Sequence, residues 1–193
     1  MKRVCVFCGS NHGVDGVYAA AARDLGRTVA DAGLGVVYGG GRVGLMGEVA
    51  AAALDAGGQV TGVIPEALLA REIGWDDLGD LRVVDSMHER KALMADLSDA
   101  FIALPGGFGT LEEFFETLTW SQLGLHDKAL GLLDVAGYYE PLLRFFDHAV
   151  TEGFVREEHR DIVVVGTDPR ELLSRLERWR PPATEKWIGD RDL

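Results

Sequence analysis

Ala100-Phe101-Ile102-Ala103-Leu104-Pro105-Gly106-Gly107-Phe108-Gly109-Thr110-Leu111-Glu112-Glu113 reads as three pieces in succession. Residues 100–104 are an apolar run of strand length, 105–109 form a glycine-rich turn, and 110–123 carry helical periodicity. A buried strand running through glycines into a helix is the repeating unit of a parallel α/β sheet.

The same unit recurs on both sides of this stretch. Strands are expected at 3–8, 34–38, 59–64, 81–84, 100–104, 129–133 and 162–165, and helices at 14–32, 45–56, 88–96, 110–123, 138–152 and 169–178. Gly33 and Gly57-Gly58 stop two of the helices, and Asp168-Pro169 caps and opens the last. The fold class that follows is α/β: one Rossmann-like, doubly wound parallel sheet of about seven strands with helices on both faces, over residues 1–180, followed by a tail at 181–193.

The net charge of −12 excludes a surface that grips a nucleic-acid backbone, since that affinity comes from clustered Lys and Arg. No apolar stretch approaches the ~20 residues needed to cross a bilayer, and Met1-Lys2-Arg3 leads directly into a strand, so a cytoplasmic protein without a membrane partner is expected. Cys5 and Cys8 form a C-x-x-C, but within a strand residues three apart face opposite ways and no further Cys or His cluster completes a metal site. They read as packing thiols, with no metal implied.

Ligands of an open α/β sheet bind outside the carboxyl ends of its strands. Three such ends carry unusual turns: Cys8-Gly9-Ser10-Asn11, Gly39-Gly40-Gly41-Arg42-Val43-Gly44 and Pro105-Gly106-Gly107-Phe108-Gly109-Thr110. Glycines there let several N–H groups meet an anion at a helix N-terminus, so Gly9, Ser10, Gly40, Gly41 and Gly106 are candidates to hold a phosphate. A P-loop is absent, and Gly39-x-Gly41-x-x-Gly44 matches the dinucleotide fingerprint only formally, because no acid stands about 20 residues on to take a ribose diol.

Thr110 can cap the helix or bind phosphate, and Glu112 and Glu113 follow in what reads as its first turn, where acids also simply complement the helix dipole. Ser86-Met87-His88-Glu89-Arg90-Lys91 brings Arg90 and Lys91 beside a strand end, to neutralise a phosphate or hold a ribose; the alternative is a solvated helix face. A carboxylate such as Glu113 suits glycosidic cleavage, in which positive charge builds on the ribose and a water must be activated. That scheme needs no metal and no cofactor.

With these residues assembled, the sequence resembles the LOG family of cytokinin riboside 5′-monophosphate phosphoribohydrolases, many members of which carry the older label of possible lysine decarboxylase. Its motif Pro-Gly-Gly-x-Gly-Thr-x-x-Glu is similar to Pro105 through Glu113 at every defined position, and the likeness extends from Val6-Phe7-Cys8-Gly9-Ser10 to His126-Asp127-Lys128. The resemblance implies a catalytic pair at Arg90 and Glu113. It also implies substrate contacts at Glu72, Arg90, Lys91, Gly107, Phe108, Gly109, Thr110, Leu111, Glu112, Glu113 and Thr119, of which Glu72 and Thr119 come from the resemblance alone.

The implied reaction is hydrolysis of an N6-modified adenosine 5′-monophosphate to free base and ribose 5-phosphate, by a homodimer with its pocket near the subunit interface. Two alternatives stay open on the sequence: a broader purine or pyrimidine nucleoside 5′-monophosphate nucleosidase, and a non-catalytic carrier of a phosphorylated ligand. Lysine decarboxylation is disfavoured, since no lysine sits in a recognisable pyridoxal phosphate pocket.

Overall fold

The computed structural model describes residues 1–69, 75 and 78–182. Its strands are β1 (Arg3–Phe7), β2 (Gly35–Tyr38), β3 (Val60–Pro65), β4 (Leu81–Val84), β5 (Ala100–Ala103), β6 (Ala129–Leu133) and β7 (Val163–Gly166). They form one sheet in the order β4-β3-β2-β1-β5-β6-β7, parallel throughout. The helices are α1 (Gly16–Asp31), α2 (Gly44–Asp55), α3 (Glu66–Leu69), α4 (Met87–Asp96), α5 (Phe108–Gln122), α6 (Glu140–Thr151), α7 (Glu157–Arg160) and α8 (Pro169–Arg178).

Both faces of the sheet are covered, which is why its central strands are buried along their whole length. Alternation along β1 and the residue after it divides the core: Val4, Val6 and Cys8 join Leu25, Val49 and Leu172 of α1, α2 and α8, while Cys5 and Phe7 join Met94, Phe114 and Phe146 of α4, α5 and α6. The two cysteines therefore face different cores, and both are free thiols.

The order of the strands places the site. The chain runs outward from β1 through β2 and β3 to β4, then crosses back to lay β5 against the other side of β1. Between β1 and β5 the direction of winding reverses, leaving a crevice at their carboxyl ends. Val6 pairs with Tyr38 and Phe7 with Ala103, so the glycine turns after β1, β2 and β5 emerge at one level.

Helix ends follow local chemistry. Asp15, Ser86 and Asp168 accept the N–H groups of Val17, Glu89 and Glu171, and Gly33 and Gly57 take the left-handed conformation (φ 71° and 77°) just past α1 and α2. The one-turn helices α3 and α7 are too short to show periodicity and do not appear in the sequence expectation. Of the expected tail, residues 183–193 lie outside the described residues.

Candidate functional site

Backbone hydrogen bonds stitch the turns together. Gly9 N–H donates to Pro105 O (3.1 Å) and Leu45 N–H to Gly9 O (2.9 Å), so the loop after β1 is tied both to the β5–α5 turn and to the start of α2. Contact is close enough to demand glycine at two places. A Cβ on Gly44 (φ 59°) would overlap the Ser10–Asn11 peptide, and one on Gly106 would overlap the Thr110 side chain and lie 2.8 Å from Gly9 N.

Above these turns lies a cavity of about 530 Å³. Its wall includes Cys8, Gly9 and Ser10 from the first turn, Gly106 through Thr110 from the third, and Arg90, Glu112 and Glu113 from the helices. Helix α5 begins at Phe108, with Gly107 as an N-cap that offers no side-chain bond, so the first N–H groups of the helix are left for an outside acceptor.

This start corrects two sequence expectations. Thr110 does not cap α5; it lies within the first turn with its side chain buried against Gly106. Glu112 and Glu113 fall beyond the first turn, which contains no acid, so complementing the helix dipole does not account for them. The expectation fails because the glycines at 107 and 109 read as turn, whereas Gly107 is the cap and Gly109 is already helical.

Arg90 is an interior arginine, 6% exposed. Its Nε donates to Val63 O (3.1 Å) and its Nη2 to Gly39 O (3.2 Å), while Nη1 stands 3.5 Å from Glu113 Oε1 and 3.8 Å from Met87 Sδ. A carbonyl just past β2 and one within β3 thus hold the guanidinium, leaving one edge for the carboxylate. A fixed cation, a carboxylate beside it and a helix N-terminus share one cavity wall, a combination able to hold an anionic group and to stabilise positive charge developing nearby. Burial pushes the Cys8 thiol well above its ordinary range and the charge of Glu113 pushes it further, so this wall presents a neutral thiol.

Other predicted residues fall elsewhere. Lys91 does not line the cavity; its Nζ lies 2.5 Å from Glu112 Oε1 and 3.0 Å from Glu116. Gly40 (φ 77°) packs against Ile64 behind the wall, Gly41 is buried outside the lining, and Leu111 joins the core beneath α5. Thr119 is exposed further along α5, where its hydroxyl donates to Phe115 O. Glu72 lies outside the described residues.

The sequence reading does not single out Tyr18, Tyr138 and His12, which line the cavity too. His12 Nε2 meets Glu48 (3.2 Å), itself bonded to Arg23. Tyr138 had an available signal, since it follows the carboxyl end of β6 on the sheet edge where ligands bind.

A family model described as "Possible lysine decarboxylase" matches residues 46–176. Cytokinin riboside 5′-monophosphate phosphoribohydrolase LOG of Oryza sativa subsp. japonica is 51% identical over 180 residues, covering 93% of this chain and 74% of that protein. The chain belongs to the LOG family. LOG3 of Arabidopsis thaliana, of the same description, is 51% identical over 93% of this chain and 84% of its own length. A rice LOG relative described as probable, LOGL2, is 53% identical over 93% and 74%. Among solved structures, the molybdenum cofactor carrier protein of Chlamydomonas reinhardtii superposes with a TM-score of 0.70 at 21% identity, covering 92% of this chain and 96% of that one. The molybdenum cofactor binding protein of Rippkaea orientalis gives 0.67 at 19%, covering 92% and 97%. At these identities the likeness between the LOG chain and the carriers is one of fold.

Proposed function

We propose that this LOG chain hydrolyses the N-glycosidic bond of a cytokinin riboside 5′-monophosphate, releasing the free base and ribose 5-phosphate. The observation that carries the reading is the buried Arg90–Glu113 pair opening into the same cavity as the N-terminus of α5. The curated relatives named above bear the name of this activity.

In this reading the 5′-phosphate sits on the first N–H groups of α5 with the turn at Gly106 and Gly107, and with Ser10 and Thr110 beside it. That anchorage puts the ribose over Glu113. As the C1′–N bond breaks, its electron pair leaves with the base and positive charge spreads over the ring, where the carboxylate stabilises it. Glu113 then takes a proton from the water whose oxygen bonds to C1′, and that proton is passed on to the departing base, restoring the carboxylate. Arg90 stands beside the carboxylate and holds it in place.

The remaining parts of the reading are a single catalytic domain over residues 1–180, a homodimer, and a cytoplasmic location. Exposed Phe145 and Phe154 support a subunit contact, and the two unpaired thiols fit a reducing compartment. No described helix is long and apolar enough to cross a membrane.

The deciding experiment measures base release from isopentenyladenosine monophosphate and from AMP, by wild type beside Glu113→Ala and Arg90→Ala. Release by the wild type alone is expected. Comparable release from AMP and from other nucleotides would turn the reading to a general nucleosidase, and absence of any released base would refute it.

A further inference from the structure

Three successive carbonyls in the β5–α5 connection are each held by a donor from another segment. Leu104 O accepts from the Tyr139 hydroxyl (2.6 Å), Pro105 O from Gly9 N–H (3.1 Å), and Gly106 O from the Tyr138 hydroxyl (2.5 Å). A trans peptide is planar, with its C=O and N–H pointing opposite ways. Holding Pro105 O therefore fixes the direction of Gly106 N–H, and holding Gly106 O fixes that of Gly107 N–H, the donor at the cap of α5.

This matters because glycines permit either face of a peptide to turn toward the cavity. A carbonyl turned there repels an anion as strongly as an N–H attracts one. Flips in a Gly106-Gly107 turn would thus mix competent and incompetent cradles, and the competent fraction scales the apparent affinity.

The segment bearing the two tyrosines is itself braced. Asp134 accepts Tyr139 N–H (2.7 Å), Tyr138 N–H donates to Val135 O (3.1 Å), and the turn passes through Ala136 (φ 53°) and Gly137 (φ 71°). A non-glycine residue holds a left-handed conformation only where its surroundings enforce it. Tyr138 also packs edge-on against Tyr139 (5.1 Å) and Tyr18 (5.9 Å). Tyr139 is 1% exposed and absent from the cavity wall, and the Leu104 carbonyl it holds belongs to a peptide whose nitrogen is that of Pro105, with no N–H to direct.

We propose that Tyr138 is a positioning residue whose hydroxyl sets the orientation of the Gly106–Gly107 peptide, and with it the affinity of the site for the phosphate of its substrate. The proposal rests on the reading of this cavity as a nucleoside 5′-monophosphate site.

The test removes the hydroxyl that holds Gly106 O, as Tyr138→Phe. Binding of inorganic phosphate and of ribose 5-phosphate is measured by calorimetry, and base release from isopentenyladenosine monophosphate by steady-state kinetics. Tyr138→Phe is expected to weaken both probes and raise KM about tenfold, with kcat within about threefold of wild type, since a lost ground-state anchor acts on binding. Unchanged affinity for both probes in the folded variant overturns the proposal, as does a fall in kcat with KM and probe affinity intact. Tyr138 is partly exposed, so the variant is expected to fold. Weakened phosphate binding in a protein whose wild type releases no base would uphold the positioning role and refute the functional reading, so the two failures are separable.

Discussion

Arg90 Nη1 stands 3.5 Å from Glu113 Oε1, and the two side chains are only 8% and 11% exposed. A buried ion pair is weak evidence for stability, because desolvation offsets most of the attraction. Here the arginine is held by the carbonyls of Val63 and Gly39 whether or not the carboxylate is charged. The carboxylate is thus the member of the pair that a reaction can use.

Glu113→Gln keeps the shape of the side chain and removes its charge. Base release should fall by about 10²-fold or more, the scale of a lost general base. Arg90 retains its two carbonyl partners, so the variant should still fold. Kinetics and a thermal melt on the same preparation check both; a folded variant of near wild-type rate would remove Glu113 from the chemistry.

Gly39→Ala tests how the arginine is placed. Gly39 does not need a positive φ, so the backbone accepts alanine, but a Cβ there would overlap Nη2 of Arg90 and lie 3.2 Å from Met46 Sδ. The guanidinium is the far end of a flexible side chain and can move aside. The expected result is a loss of activity of about 10²-fold from misplacement, with a stability cost of about 1–3 kcal/mol from overpacking. Activity retained in a stable variant would mean that the position of Arg90 does not matter.

Cys8 offers an independent probe of the same wall. Burial, then the charge of Glu113, raises both thiols well above their ordinary range, and the thiolate is the reactive form. Ellman's reagent at pH 8 should react with the native protein at least about tenfold more slowly than with the denatured chain, which releases both thiols. In a Cys5→Ala background, Glu113→Gln should quicken labelling of Cys8, because a charge that opposes the thiolate is gone. Native labelling as fast as that of the denatured chain would contradict the burial of these thiols.

Most of the fold was legible because a parallel sheet buried on both faces writes continuous apolar strands, and glycine turns mark their ends. Residues 81–84 and 129–133 are strand with the same bounds in both readings, and the other strands moved by a residue at one end or both. The start of α5 was misread because glycine is a turn residue by propensity, yet here Gly107 caps the helix and Gly109 continues it. At the site, Arg90 could be named as a cation beside a strand end and Glu113 as a carboxylate close behind a glycine turn, but their contact depends on strand order, which brings β2, β3 and β5 to one crevice. Lys91 follows Arg90 in sequence and faces another way on the helix, so adjacency could not show that it bridges Glu112 and Glu116. The tyrosine bonds to Leu104 and Gly106 were illegible for a similar reason: they join segments more than thirty residues apart.

His126 gives the protein a pH dependence of known sign. Its Nε2–H donates to Thr117 O (3.0 Å), its Nδ1 accepts Lys128 N–H (3.1 Å), and its ring packs against Phe101 (5.5 Å). This geometry serves only the neutral imidazole, since a proton on Nδ1 would destroy the acceptor. Burial, with the Lys128 charge behind it, holds the folded imidazole below its ordinary value of 6.5, although the Thr117 carbonyl and Asp127 pull the other way. The unfolded chain therefore binds the proton first as pH falls, and stability is complete above about 6.5 and declines from there toward the lowered folded value. Asp80 and Asp99, whose carboxyls are held below 3.8, lose their contributions only in a more acidic range, so the two effects separate. Urea midpoints for wild type and His126→Gln between pH 7.5 and 5 should show the wild type losing stability more steeply. Parallel curves would mean that the imidazole titrates alike in the folded and unfolded chains.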